Sequence, residues 1–199
     1  MTEAQWEKKL RIQTTGRLDA HADAYHYPYE PTPYSVLERL AESGYISRES
    51  FLLDYGCGKG RVGFFLHDAT GCRVLGLEYN EEIYQKAMEN KRLAAKGAGI
   101  DFICVNAKEF PVEKADCFYF FNPFSLEILQ GVMGRVLESY YENPRRLRLF
   151  FYYPNEEYLV WLMSFYALHF VEEIDCRDLF GGRDERERIL IFEMEGPND

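Results

Sequence analysis

The stretch LLDYGCGKGRVGFF, residues 52–65, carries glycine at positions 56, 58, 60 and 63. Glycines this dense let a backbone turn tightly and let a ligand come close to it. Two spacings overlap here. Gly58-Lys59-Gly60-Arg61-Val62-Gly63 reads G-x-G-x-x-G, the pattern that cradles a dinucleotide's pyrophosphate. Asp54-x-Gly56-x-Gly58-x-Gly60 adds a carboxylate just ahead of the turn. About 20 residues on, Glu78 closes the next apolar run, where its carboxylate can hold both hydroxyls of a ribose.

Asp54 separates the ligands that these residues would otherwise share. A pyrophosphate at the turn would face a carboxylate at close range, and like charges repel. S-adenosylmethionine has no phosphate; its sulfonium and α-ammonium are cations that a carboxylate attracts. A nicotinamide-dependent oxidoreductase stays open only if Asp54 turns away from the ligand.

Positioning these groups takes a regular framework. From Phe51 onward, short apolar runs alternate with helical periodicity: strands at FLLDY, CRVLGLE, DFICVN, CFYFF and LRLFFYY, with helices between them. Asn80 caps the second of these helices, whose apolar face runs from Ile83 to Ala94 before the glycines of KGAG. Ser125 is placed to cap the amphipathic helix carrying Leu129, Val132, Met133 and Val136, and another helix runs from Asn155 to Tyr166. FVEEIDC and RILIFEM flank the hairpin-like DLFGGRDERE. Such alternation demands a largely parallel sheet with helices on both faces, an α/β Rossmann-like fold closed by a C-terminal antiparallel hairpin. Residues 1–50 lack the rhythm. They read as a Tyr-rich N-terminal cover, with a helix from Ala4 to Thr15 and a short one capped by Thr32, on a single domain spanning 51–199.

With these residues in place, the chain resembles the class I S-adenosylmethionine-dependent methyltransferases from about Tyr29 to Glu195. DYGCGKG is similar to the family's first motif, which implies cofactor contacts at Asp54, Gly56, Cys57, Gly58 and Gly60. Glu78, followed by Tyr79, matches the acidic ribose ligand. Asn106 and Ala107 fall where the family contacts the adenine edge, although the family usually has Asp in place of Asn106; that residue reads equally as a loop cap. FFNPF resembles the (Asp/Asn)-Pro-Pro-(Tyr/Phe) motif of amino-group methyltransferases with one proline missing, which implies catalytic roles for Asn122, Pro123 and Phe124. In that family the Asn oxygen and a backbone carbonyl accept N–H bonds from a planar nitrogen, and the aromatic ring stacks on it. NPF also reads simply as a strand end. YEPTP is similar to a segment of some amino-methylating DNA enzymes, which implies that Thr32 helps hold the methionine end of the cofactor.

The rest of the composition bears on the acceptor. A net charge of −10 and a pI near 5.0 argue against long nucleic acid and leave a protein side chain or a small molecule as the favoured methyl acceptor. A nucleic-acid base as acceptor, and a non-catalytic cofactor-binding protein, remain as alternatives. Five scattered cysteines without C-x-x-C spacing, and four histidines without ligand spacing, point to free thiols in the cytoplasm and to no metal. No apolar run reaches membrane-spanning length, so no membrane partner is expected.

Overall fold

A computed structural model describes residues 1–16 and 29–195; Tyr25, Tyr27, His21 and His26 of the N-terminal segment lie outside the described residues. Seven strands form one sheet: β1 (Phe51–Tyr55), β2 (Arg73–Glu78), β3 (Ile100–Cys104), β4 (Cys117–Phe120), β5 (Leu147–Tyr152), β6 (His169–Asp175) and β7 (Arg188–Met194). Their order is β3-β2-β1-β4-β5-β7-β6. The first five run parallel, and β7 lies antiparallel between β5 and β6. This is the expected mostly parallel Rossmann-like sheet ending in an antiparallel hairpin. β1, β4 and β5 are buried almost throughout, as strands covered on both faces must be.

Helices α1 (Glu3–Leu10), α2 (Tyr34–Glu42), α3 (Arg61–Thr70) and α4 (Glu81–Leu93) contribute to the core on one face, with Leu37, Phe65 and Ala87 among its buried residues. α5 (Leu126–Glu142) and α6 (Glu156–Ser164) contribute to the core on the other, around Leu129, Met133 and Leu162. Tyr55, Phe120 and Phe151 stand in register on β1, β4 and β5. Their rings stack with centroids 4.9 and 4.6 Å apart and planes within 6° of parallel. The stack fixes the carboxyl ends of three neighbouring strands against one another, and Asp54 and Asn122 sit on two of those ends.

Local expectations at several helix ends are corrected. The first helix stops at Leu10 rather than Thr15, because Arg11 turns left-handed (φ 58°) and closes the helix with its own N–H. The extended chain beyond it is held instead by Glu7, whose Oε1 accepts the backbone N–H of Thr14 and of Thr15. Thr32 does not cap α2: Pro33 occupies the N-cap, and the Tyr34 N–H is taken by Glu3 Oε1 at 2.9 Å, from α1. α4 ends at Leu93, before the glycines, with Ala94 already extended. Ser125 stands at the N-cap of α5 without bonding through its side chain. α6 ends at Ser164, leaving Tyr166 outside the helix and exposed. Asn80 caps α4 as expected, and Asn155 caps α6 in the same way, each accepting a backbone N–H three residues on.

Candidate active site

At the carboxyl edge of the sheet the glycine turn links β1 to α3. The backbone N–H groups of Gly56 and Cys57 both donate to Leu77 O on β2, at 2.9 and 3.0 Å. Gly56 and Gly58 adopt φ of +72° and +56°, and space as well as torsion demands glycine there. A Cβ on Gly56 would collide with Pro123, and one on Gly58 with the ring of Tyr29. The first contact joins the glycine turn to the NPF segment. The second joins it to the N-terminal segment.

Glu78 locks the turn from β2. Its Oε2 accepts the Gly58 N–H and its Oε1 the Asn80 N–H, both at 2.9 Å. A separation of 20 residues in sequence thus becomes a direct hydrogen bond. Asp54 is only 2% exposed, and its Oδ2 has no hydrogen-bond partner among the described residues. Burial, and then the neighbouring Glu78 charge, raise its carboxyl to about 8. Cys57 packs where a side chain on Gly76 would stand, and burial drives its thiol well above the usual range, so it is no nucleophile.

All the sequence-derived candidates except Gly58 and Gly60 line one cleft. Tyr79 lines it while remaining half exposed. Asn106 is also a loop cap: its Oδ1 accepts the Lys108 N–H and its amide reaches Glu109, with Ala107 beside it. The Thr32 hydroxyl pairs with Tyr119 OH at 3.0 Å, and its carbonyl accepts from Arg61. Asn122 takes a left-handed backbone (φ 40°); its amide donates to Tyr153 O at 2.6 Å and its oxygen accepts the Asn155 N–H at 3.2 Å. The ring of Phe124 is buried edge-on against Tyr55 and Phe120, and its carbonyl accepts from Tyr158 OH.

The fold is found in solved methyltransferases. A methyltransferase-domain family model matches residues 52–142. Residues 52–142 thus match a methyltransferase domain, on the fold that class I methyltransferases share. One relative of this methyltransferase domain, a protein-lysine N-methyltransferase of Saccharolobus islandicus (strain REY15A), is 35% identical over 66 residues, covering 33% of this chain. The matched stretch spans 41% of that relative's length. Among solved structures, the glycopeptide N-methyltransferase MtfA superposes with a TM-score of 0.63 at 13% identity, covering 89% of this chain and 93% of its own. An RNA methyltransferase from Salinibacter ruber, bound to S-adenosylhomocysteine, superposes at 0.55 with 18% identity over 85% and 98%.

Two residues that line the cleft and the space beside it escaped the sequence reading. Arg61, the first residue of α3, is 3% exposed; it pairs with Glu3 and Glu7, donates to Thr14 Oγ1 at 2.7 Å, and stands over the Tyr34 ring. It thereby ties the N-terminal segment to the glycine turn. Tyr153 follows β5 with φ 51° and holds Asn122. Its signal was the pattern Tyr153-Pro154, which repeats at the end of β5 the proline that follows Asn122 after β4. Among the described residues no helix is long and apolar enough to cross a membrane.

Proposed function

We propose that the chain transfers a methyl group from S-adenosylmethionine to an amino nitrogen, on a protein side chain or a small molecule rather than on long nucleic acid. The observation that carries this reading is Asp54: a buried acid oxygen without a partner among the described residues, at the edge of a glycine-lined cleft, which a cationic ligand would ionise and pair with and a pyrophosphate would not. Bound there, S-adenosylmethionine supplies an electrophilic methyl on a sulfonium. Gly56 to Gly60 let the backbone approach it, and Glu78, at the end of β2 beside the turn, takes the ribose hydroxyls. Asn106, Ala107 and Tyr79 border the base, and Thr32 borders the methionine end. Asn122, Pro123 and Phe124 wall the acceptor side.

Support for an amino acceptor comes from the names of two similar proteins, a protein-lysine and a glycopeptide N-methyltransferase. The net charge of −10 disfavours a polyanion. The test offers cofactor with a labelled methyl group to a lysate of cells lacking the protein. Label should enter the protein or small-molecule fraction. Asn122→Ala should bind cofactor nearly as well as wild type while transferring about a hundredfold more slowly, on the order of 3 kcal/mol in the barrier. Label entering nucleic acid would overturn the acceptor class. Cofactor binding without label in any fraction would favour a non-catalytic binding protein.

A further inference from the structure

Behind Asn122 lies a second cavity of about 680 Å³, which shares Glu30, Pro31, Phe121 and Asn122 with the cofactor cleft. Its wall is aromatic. Phe121 packs against Tyr152 and Tyr153, with ring centroids 4.7 and 6.2 Å away. Its charged lining residues are Glu30, Glu187 and Arg186; Glu187 accepts from Tyr152 OH at 2.7 Å, and Asp184, beside the lining, accepts from Tyr153 OH at 2.6 Å. The Tyr153 hydroxyl, with Arg186, holds the Asp184 carboxyl down to about 2, so it stays anionic throughout the working pH range. One cation of this chain already uses the wall. The guanidinium of Arg186 stands 4.3 Å from the centre of the Tyr153 ring and pairs with Asp184 at 3.2 Å. Arg186 sits on the exposed loop between β6 and β7, with about half its side chain in solvent, and leaves the wall by giving up its bonds to the Tyr153 hydroxyl and to Asp184.

The groups suited to a planar nitrogen are meanwhile occupied inside the protein. Both ends of the Asn122 amide are bonded to neighbouring backbone, and Phe124 is edge-on in the core rather than offering a face. Accessible here are an aromatic face and carboxylates, the combination that attracts an alkylammonium.

We infer that this second cavity is the acceptor subsite, that it selects an alkylammonium such as a lysine side chain over a planar amide or ring nitrogen, and that Arg186 is an internal cation the acceptor displaces from Tyr153. This rests on the proposed methyltransferase reading and names its substrate class. Tyr153 is then the specificity-determining residue, and Arg186 lowers the affinity for acceptor rather than contributing to it.

The probes are a fluorescent decalysine peptide, the same peptide acetylated on every ε-amine, and a glycine–glutamine decapeptide, titrated by anisotropy at about 0.15 M salt to screen long-range attraction. Wild type should bind decalysine and neither neutral peptide. Tyr153→Leu, which leaves the net charge unchanged, should weaken decalysine about three- to thirty-fold. Tyr153→Phe should retain most of the affinity. Arg186→Ala should tighten binding several-fold, whereas Arg183→Ala, the same charge change on the same exposed loop, should alter it less than about twofold. Neutral peptides binding as well as decalysine, a Tyr153→Leu variant as tight as wild type, or weaker binding by Arg186→Ala would each overturn the inference. Cofactor affinity measured on every variant reports folding. Its absence in the wild type would overturn the methyltransferase reading separately, since peptide binding is scored without cofactor.

Discussion

A carboxylic acid that keeps its proton up to a pH of about 8, as Asp54 does through burial and the Glu78 charge, makes ligand binding a protonation event. A bound cation favours the ionised form. Cofactor binding at pH 7 should therefore release close to one proton, and affinity should rise between pH 6 and 8 and level off above. Calorimetry in two buffers of different ionisation heat measures this; a heat independent of buffer would contradict it. The sign for stability runs the other way. A raised carboxyl contributes its stability below the ordinary range near 3.8 and loses it as pH climbs towards about 8. Asp54→Asn should thus raise the melting point of the ligand-free protein more at pH 8 than at pH 4. At Glu78, Glu78→Ala should weaken cofactor about ten- to a hundredfold, the range of roughly 1.5–3 kcal/mol for hydrogen bonds to a charged group. An unchanged dissociation constant would mean that the ribose is held elsewhere. Asp54 and Glu78 were legible in the sequence because motif spacing and strand ends place them. Arg61 and Tyr153 were not, because their partners lie 29 to 58 residues away.

Between elements, the start of α2 was misread where a tertiary group outcompeted a local signal, whereas α1 ends on a left-handed turn at Arg11. Glu3 on α1 supplies the cap that Thr32 was expected to give α2, while Thr32 turns inward to Tyr119. The strands were readable because continuous apolar runs leave little freedom once both faces are covered. Two element-level contacts carry consequences. Removing the middle ring of the Tyr55–Phe120–Phe151 stack by Phe120→Ala should cost about 3–5 kcal/mol in urea denaturation. Arg61→Ala strips Glu7 and Glu3 of their buried partner and should cost about 3 kcal/mol, near the lower end for a broken buried pair because both acids are part-exposed. It should also speed proteolytic release of residues 1–16 at concentrations of protease that spare the sheet. Equal cleavage rates would show that α1 is held by apolar contacts such as Trp6 against Phe65 rather than by the ion pairs.

Over the whole molecule, the order β3-β2-β1-β4-β5-β7-β6 brings the ends of β1, β2, β4 and β5 to one edge, where the cofactor cleft and the second cavity meet. The alternation of strands and helices made that edge legible. The second cavity was not legible, since it forms only where the hairpin loop at Arg186 folds back over the end of β5. With a net charge of −10, the molecule should bind a duplex of about 30 base pairs no more tightly than the weak end of non-specific binding, about 10⁻⁴ M at about 0.15 M salt. A micromolar duplex would point to a local basic groove. The central claim, that the Asp54-edged cleft takes a cationic, phosphate-free nucleoside, is tested most directly by titrating the purified protein with S-adenosylmethionine and with NAD in parallel. The account predicts saturable heat with S-adenosylmethionine in the micromolar range and none with NAD; tight NAD binding with no response to S-adenosylmethionine would contradict it.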